Sequence, residues 1–325
     1  MGGGLREVKT TYYGSFVYAL DPTTSGRQVL NVFAQDEITL TDRLALTLGS
    51  KFEHQTTSGW AIEPTARLLA SLDARQRIWA AVSHVHRTPS LSELYQQINY
   101  AAFIGANRVP IVLGMTGNPA FKVEELTESE AGYRIDLGAD ASIDVAVFRG
   151  AYGGLATNEP MAPVFEATPS PHLFIGTTYA NLLDATTTGL EVAGHWAPSG
   201  TWRLDGSYSG LRVAPKVDPS SRDAQAPLFD GTAPTHQWQL HTSVWLGSRV
   251  QLDGGIYHVG ALRVMRVPAY TRADARTEVK ITPQVSLVVV GQNLTDRAHA
   301  ELATFDGVTA TLIPRSVSAS FVWRR

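Results

Sequence analysis

Cysteine is absent from this chain. That removes disulfide frameworks, cysteine nucleophiles, thiolate zinc sites and iron–sulfur clusters. Charge is scarce as well: 18% of the 325 residues are Asp, Glu, Lys or Arg, against about 25% in an ordinary globular domain. A net charge of −3 leaves no basic stripe to displace counterions, so nucleic acid is not an expected partner. Long apolar runs are missing. The longest, Ser286–Gly291 (SLVVVG), has about six residues, far short of the ~18 of a membrane helix. The N-terminus, Met1-Gly-Gly-Gly-Leu-Arg-Glu-Val8, has neither the basic nor the apolar segment of a signal peptide, so none is expected. No G-x-S-x-G elbow or glycine-rich phosphate loop occurs, which argues against an enzyme and against a cofactor.

What is present is alternation with a period of two, in runs of ten or more residues. Arg43–Glu53 puts Leu44, Leu46, Leu48 and Phe52 on one face and Arg43, Thr47, Lys51 and Glu53 on the other. Thr201–Arg212 sets Trp202, Leu204 and Tyr208 against Arg203, Asp205, Ser207 and Ser209, and Gln237–Leu246 behaves in the same way. In Arg272–Ile281 every second residue is charged: Arg272, Asp274, Arg276, Glu278 and Lys280. The final run, Ser316–Arg324, alternates Val317, Ala319, Phe321 and Trp323 with polar residues.

Alternation alone does not say which face is wet, because a soluble sandwich and a membrane barrel share it. Run length separates them. These runs take roughly 10–14 residues, whereas globular strands average about 5–6 and a membrane strand needs about 9–11. The connections also alternate. Tight turns at Thr41-Asp42, Leu72–Arg75, Gly138–Asp140, Pro198–Gly200, Gly247-Ser248 and Thr282–Gln284 contrast with long stretches at Arg87–Val123, Asn158–Gly176, Val213–Thr235 and Thr295–Ile313. Short turns at one end and long loops at the other mark an antiparallel transmembrane β-barrel, here of about 14 strands. Trp60, Trp79, Trp196, Trp202, Tyr208, Trp238 and Trp323 fall near strand ends, as the aromatic girdles of such a barrel do.

Several segments then resemble the C-terminal part of a TonB-dependent outer-membrane receptor. Arg87-Thr-Pro-Ser-Leu-Ser-Glu-Leu-Tyr95 is similar to the family's R-x-P-S-x-x-E-L-Y stretch, and the run from Gly117-Asn-Pro-Ala-Phe-Lys-Val-Glu124 to Tyr133 to its G-N-P-x-L-K-P-E run. Tyr179-Ala-Asn181 with Thr188-Gly-Leu-Glu191, then Ala233–Trp238, follow in family order. So do Val267–Tyr270, Asp274-Ala-Arg276, Gly291-Gln-Asn-Leu-Thr-Asp-Arg297 and Pro314-Arg-Ser316. The resemblance covers most of Ser83–Arg325. It implies an all-β fold in which residues 1–325 are part of a barrel of 22 strands, with the plug domain, TonB box and signal peptide absent. Family barrels usually finish on an aromatic residue, whereas Trp323 here is followed by Arg324 and Arg325. The resemblance further implies a Gram-negative outer-membrane location and outer-membrane lipid as a partner. It implies TonB-coupled uptake of a scarce ligand such as a siderophore, cobalamin or oligosaccharide, with the TonB complex engaged through plug and box.

Ligand contacts are expected on loops rather than on the wall. The stretch Arg87–Val123 carries Tyr95, Tyr100, Phe103 and Arg108, aromatics plus one guanidinium that suit a planar, anionic or metal-chelated small molecule. The competing reading is that Leu91, Leu94 and Tyr95 only pack the loop. Arg272, Asp274, Arg276, Glu278 and Lys280 are expected to face the lumen, either bonding a plug or simply solvating the wall. His84 and His86, at i and i+2, share a strand face, but no acidic residue lies close by in sequence to complete a metal set, so no metal is expected. Two rivals stand beside the receptor. One is a passive porin-like or structural barrel, whose first strand near Thr11–Leu20 would pair with Ser316–Arg324. The other is a soluble sandwich or cupin-like metal enzyme using His84 and His86.

Overall fold

The computed structural model describes residues 1–105, 108–303 and 310–324. Fourteen long strands follow one another: β1 (Gly2–Thr11), β2 (Thr24–Thr41), β3 (Leu44–Gln55), β4 (Gly59–Ser71), β5 (Gln76–Arg87), β6 (Glu124–Asp136), β7 (Ala141–Pro160), β8 (His172–Ser199), β9 (Trp202–Val217), β10 (His236–Leu246), β11 (Val250–Val259), β12 (Tyr270–Lys280), β13 (Val285–Gln292) and β14 (Ser316–Trp323). Each pairs antiparallel with its sequence neighbours, in one continuous meander. This is the strand number that the alternation implies, arranged as a barrel wall. Among the described residues no helix is long and apolar enough to cross a membrane.

The six tight turns all lie at one end, at the places their composition marks. Asp73 closes one of them by accepting from the Arg75 and Gln76 amides at 2.7 and 2.8 Å, the local bonding that makes Asp a turn residue. Gly247 turns another with φ of +63°, a conformation that only glycine adopts freely. The long connections lie at the other end, although one there, residues 56–58, is tight. Of the expected Thr295–Ile313 stretch, residues 304–309 lie outside the described ones.

Strand lengths correct the expected range. They run from 8 residues in β13 and β14 to 28 in β8. The long ones keep pairing beyond the wall: the β7–β8 ladder reaches Pro160↔Thr177 across two register shifts. Continued pairing satisfies backbone groups that a bare loop would leave to water. The expected first strand also moves. β1 is Gly2–Thr11, and Tyr18–Leu20 instead pairs with Gln96–Ile98 of the long loop. Among the described residues β1 is laddered only to β2 and β14 only to β13, so the closure of first strand on last that a passive 14-strand barrel needs is not formed.

The two faces of the sheet differ as the alternation requires. Leu48, Phe52, Leu240 and Phe321, at 44%, 45%, 41% and 73% exposure, belong to an apolar face that no other described residue covers. A soluble sandwich buries that face; exposed apolar surface on this scale marks an interaction surface. The opposite face is polar. Lys51 bridges Glu53 and Glu63 at 2.7 and 3.3 Å, and His195 contacts Asp205 at 2.7 Å. Trp60, Tyr208 and Trp238 lie toward the loop end of the apolar face, and Trp196, Trp202 and Trp323 at the turn end, by register. Trp79 departs from the expected girdle. It is paired with Gly132 on the polar face, where a Cβ on Gly132 would fall 2.4 Å from the indole. The missing side chain is what admits the ring.

Candidate functional site

The segment Arg87–Tyr95 folds into a short brace rather than an open loop. Ser90 caps the helix Leu91–Tyr95: its hydroxyl accepts from the Glu93 amide, and the Glu93 carboxylate accepts from the Ser90 amide. This capping box satisfies two amides that the helix start leaves free. Arg87, at the end of β5, grips Glu93 with two guanidinium nitrogens at 3.0 and 2.7 Å and donates its Nε to Glu124 on β6. Burial alone would raise the Glu93 carboxyl. The Arg87 guanidinium and the Ser90 amide and hydroxyl outweigh it and hold the group below the usual carboxylate range.

Gly117 and Asn118 lock onto this helix. The Gly117 amide donates to Gln96 O at 2.6 Å and the Asn118 amide to Glu93 O at 2.8 Å. The Asn118 side chain donates to Tyr179 O on β8 at 2.8 Å, with Phe121 buried against the Tyr179 ring. Asn181 accepts from the Lys122 amide and donates to Gly154 O, and Glu124 accepts from the Ala156 amide. Three family-like motifs, Arg87–Tyr95, Gly117–Glu124 and Tyr179–Asn181, therefore converge on one knot that ties β5, β6, β7 and β8 together at the loop end. Asn293 does the same further along: fully buried, it bonds Asp274 Oδ1 and Ile313 O, each at 2.9 Å. Glu124, Asn118 and Asn181 stand inside family-like motifs, but nothing local in the sequence assigns them these bonds, which depend on strand pairing.

Tyr95 lies in the brace, where it walls a narrow crevice with Leu20, Pro22 and Leu91, and Leu94 is buried beneath it. Tyr100, Phe103 and Arg108 lie elsewhere, on a hairpin of Gln96–Ile104 with Pro110–Thr116. Tyr100 and Phe103 are exposed, the Tyr100 hydroxyl meets Met115 Sδ at 3.4 Å, and Arg108 is exposed in the left-handed region. The second arm of the hairpin pairs parallel with Leu173–Thr178 of β8, which seats Phe174, at 1% exposure, against Gly114 and Gly176. The loop residues are thus held on a hairpin that continues the wall sheet outward from β8.

The charged row Arg272–Lys280 lies along the polar face of β12. Arg276 bridges Asp253 on β11 at 2.8 Å and contacts Glu278, which also accepts from Arg324 at 2.6 Å. Arg272 stacks over Tyr257 at 4.6 Å and lies 3.4 Å from Asp274. Lys280, near the turn end, is exposed. Arg324 is thereby drawn onto the wall by Glu278. Across β7 to β11 the same face carries a recess of about 490 Å³ bordered by Asp144, Glu191, Ser207, Gln239 and Tyr257. Ala146, Ala193 and Val259 interleave these groups, so the recess offers both polar and apolar surface.

A family model described as TonB dependent receptor-like, beta-barrel, matches residues 3–294. No curated protein matches the chain. Among solved structures, the siderophore receptor PirA from Acinetobacter baumannii superposes with a TM-score of 0.70 at 15% identity, covering 93% of this chain and 46% of that one. A variant of the ferric enterobactin receptor PfeA from Pseudomonas aeruginosa gives 0.70 at 15%, covering 99% and 50%. PirA from Pseudomonas aeruginosa gives 0.63 at 14%, covering 93% and 49%. The chain thus spans about half the length of these structures.

Proposed function

The chain belongs to the TonB-dependent receptor-like β-barrel family, and on that premise we propose that it forms wall and ligand-gathering loops of an outer-membrane receptor. In this reading the receptor takes up a scarce ligand by energy-coupled transport and performs no chemistry on it. The observation that carries the reading is the meander itself: one apolar face left uncovered, one charged face, tight turns at one end and a braced loop layer at the other. The apolar face meets outer-membrane lipid, and the polar face lines the lumen. There Arg272, Asp274, Arg276, Glu278 and Lys280 face a plug, through which the TonB complex would act. Siderophores are the ligand class that best suits the loops, since the structures sharing this fold include siderophore receptors and exposed aromatics beside a guanidinium accept a planar anionic chelate.

Two measurements test this. Leu240→Arg puts a charge on the lipid face, and Gln239→Arg puts the same charge one residue away on the lumen face. In the whole receptor folded into lipid vesicles the first is expected to lower stability by about 2–3 kcal/mol and the second by less than about 0.5. Equal effects would remove the membrane assignment. Replacing Tyr100, Phe103 and Arg108 together by alanine in the whole receptor should weaken binding of a ferric siderophore about tenfold or more, at an unchanged level in the outer membrane. That is the loss of roughly 1.4 kcal/mol. Undiminished affinity would take the ligand site away from this hairpin.

A further inference from the structure

Histidines 84 and 86 stand two residues apart on β5, on the line that continues Ile78, Ala80 and Val82 of the apolar face. The ladder with β6 sets Glu125 directly opposite His86, and Thr127 opposite His84. One ligand atom from each of His84, His86 and Glu125 lies within 4.8 Å of the others. His86 Nε2 is 3.8 Å from the Glu125 carboxylate, and the two imidazoles stand edge to face at 4.7 Å. The acidic partner is therefore 39 positions away in sequence and adjacent only through strand register.

From this we infer that the wall carries a divalent transition-metal site, formed by His84, His86 and Glu125, at the root of the long loop. Three further features support it. His84 Nδ1 lies 2.9 Å from Thr127 Oγ1; donation of its N–H to the hydroxyl fixes the ring and leaves the Nε2 lone pair free, the arrangement found around metal-bound imidazoles. His86 Nδ1 is buried without a hydrogen-bond partner, so this imidazole is not committed to a purely structural network. The site also begins one step beyond Val82, the last apolar residue on this line of β5. Two imidazoles and one carboxylate favour Zn²⁺, Ni²⁺ or Cu²⁺ over Mg²⁺ and Ca²⁺, which prefer all-oxygen sets. Metal–ligand bonds of about 2.0–2.1 Å require the donors to close by roughly 1 Å, within the reach of small side-chain rotations. The ion would clip β5 to β6 on the face opposite the Arg87–Glu124 pair, one residue along the same ladder.

The test is titration of the full chain, folded in detergent micelles and freed of metal by chelation, with ZnCl₂ in a calorimeter. One ion per chain in the micromolar range or tighter is expected, weakened about tenfold or more in His84→Asn and in Glu125→Gln, and unchanged in His258→Asn. Stoichiometric binding that survives the double replacement His84→Asn/His86→Asn overturns the site, as does the absence of binding to the unaltered chain. Where a variant fails to fold, Cu²⁺ bound to the unaltered chain decides by electron paramagnetic resonance. Superhyperfine lines from two imidazole nitrogens support the site, and fewer than two overturn it.

Discussion

A single methyl group placed on Gly117 is expected to dissolve the knot at the head of β5–β8 while the meander stays folded. The new Cβ would fall 2.5 Å from Tyr95 N, 2.6 Å from Leu94 C and 2.8 Å from Gln96 N. All three are backbone atoms, so no flexible side-chain end can yield. The helix cannot back away either, because the Gly117 and Asn118 amides hold it at Gln96 O and Glu93 O and Leu94 is buried. Overpacking together with the loss of both hydrogen bonds makes Gly117→Ala cost on the order of 4–5 kcal/mol, concentrated in the loop layer. Hydrogen exchange in micelles should show protection lost across residues 90–123 and retained in β10–β13. Gly26→Ala is the control, since nothing lies within 4 Å of its Cβ. Wild-type protection in Gly117→Ala would mean that the motif is not a brace.

The second large effect concerns the lumen row. Glu278 is 5% exposed and receives both Arg276 and Arg324. Its removal leaves Arg276, two-thirds buried, with Asp253 alone, and frees Arg324. Breaking a buried pair from one side costs about 3–5 kcal/mol, and the lower figure applies because water reaches Arg324. Glu278→Ala should therefore lower stability by about 3 kcal/mol. Glu278→Gln, which keeps an acceptor oxygen, should cost roughly half that. The urea midpoint in micelles reads both. A midpoint equal to wild type would reduce the row to wall solvation, and the tie between β12 and the end of β14 would carry no energy.

Strand runs and tight turns were legible in the sequence because both are local. A period of two reports a strand with unlike faces, and Asp73 or Gly247 reports a turn, without knowledge of any partner. The family-like motifs were legible as motifs but not as structure. Nothing in Arg87–Tyr95 says that Arg87 will hold Glu124, since that contact depends on β5 pairing with β6 across a 36-residue insertion. The same non-local pairing hid Glu125 from His84 and His86. It also placed Trp79 above Gly132 on the polar face, where position near a strand end pointed to a girdle. Tyr18–Leu20 looked like part of a first wall strand because alternation cannot tell the wall from a short strand that serves the loop layer. Local chemistry fixes the elements, and register fixes the sites.

The margins of the meander have a consequence in hydrogen-bond free energy. β1 and β14 each have one laddered neighbour, so every second amide and carbonyl along their outer edges points away from the sheet. In water these groups are solvated at little cost. In hydrocarbon each unsatisfied group costs several kcal/mol, so two such seams would together outweigh the whole stability of about 5–15 kcal/mol that a folded domain possesses. A bilayer therefore selects against the meander as a lone sheet. Whatever completes the ring must offer β1 and β14 strands whose own donors and acceptors match these two rows in register.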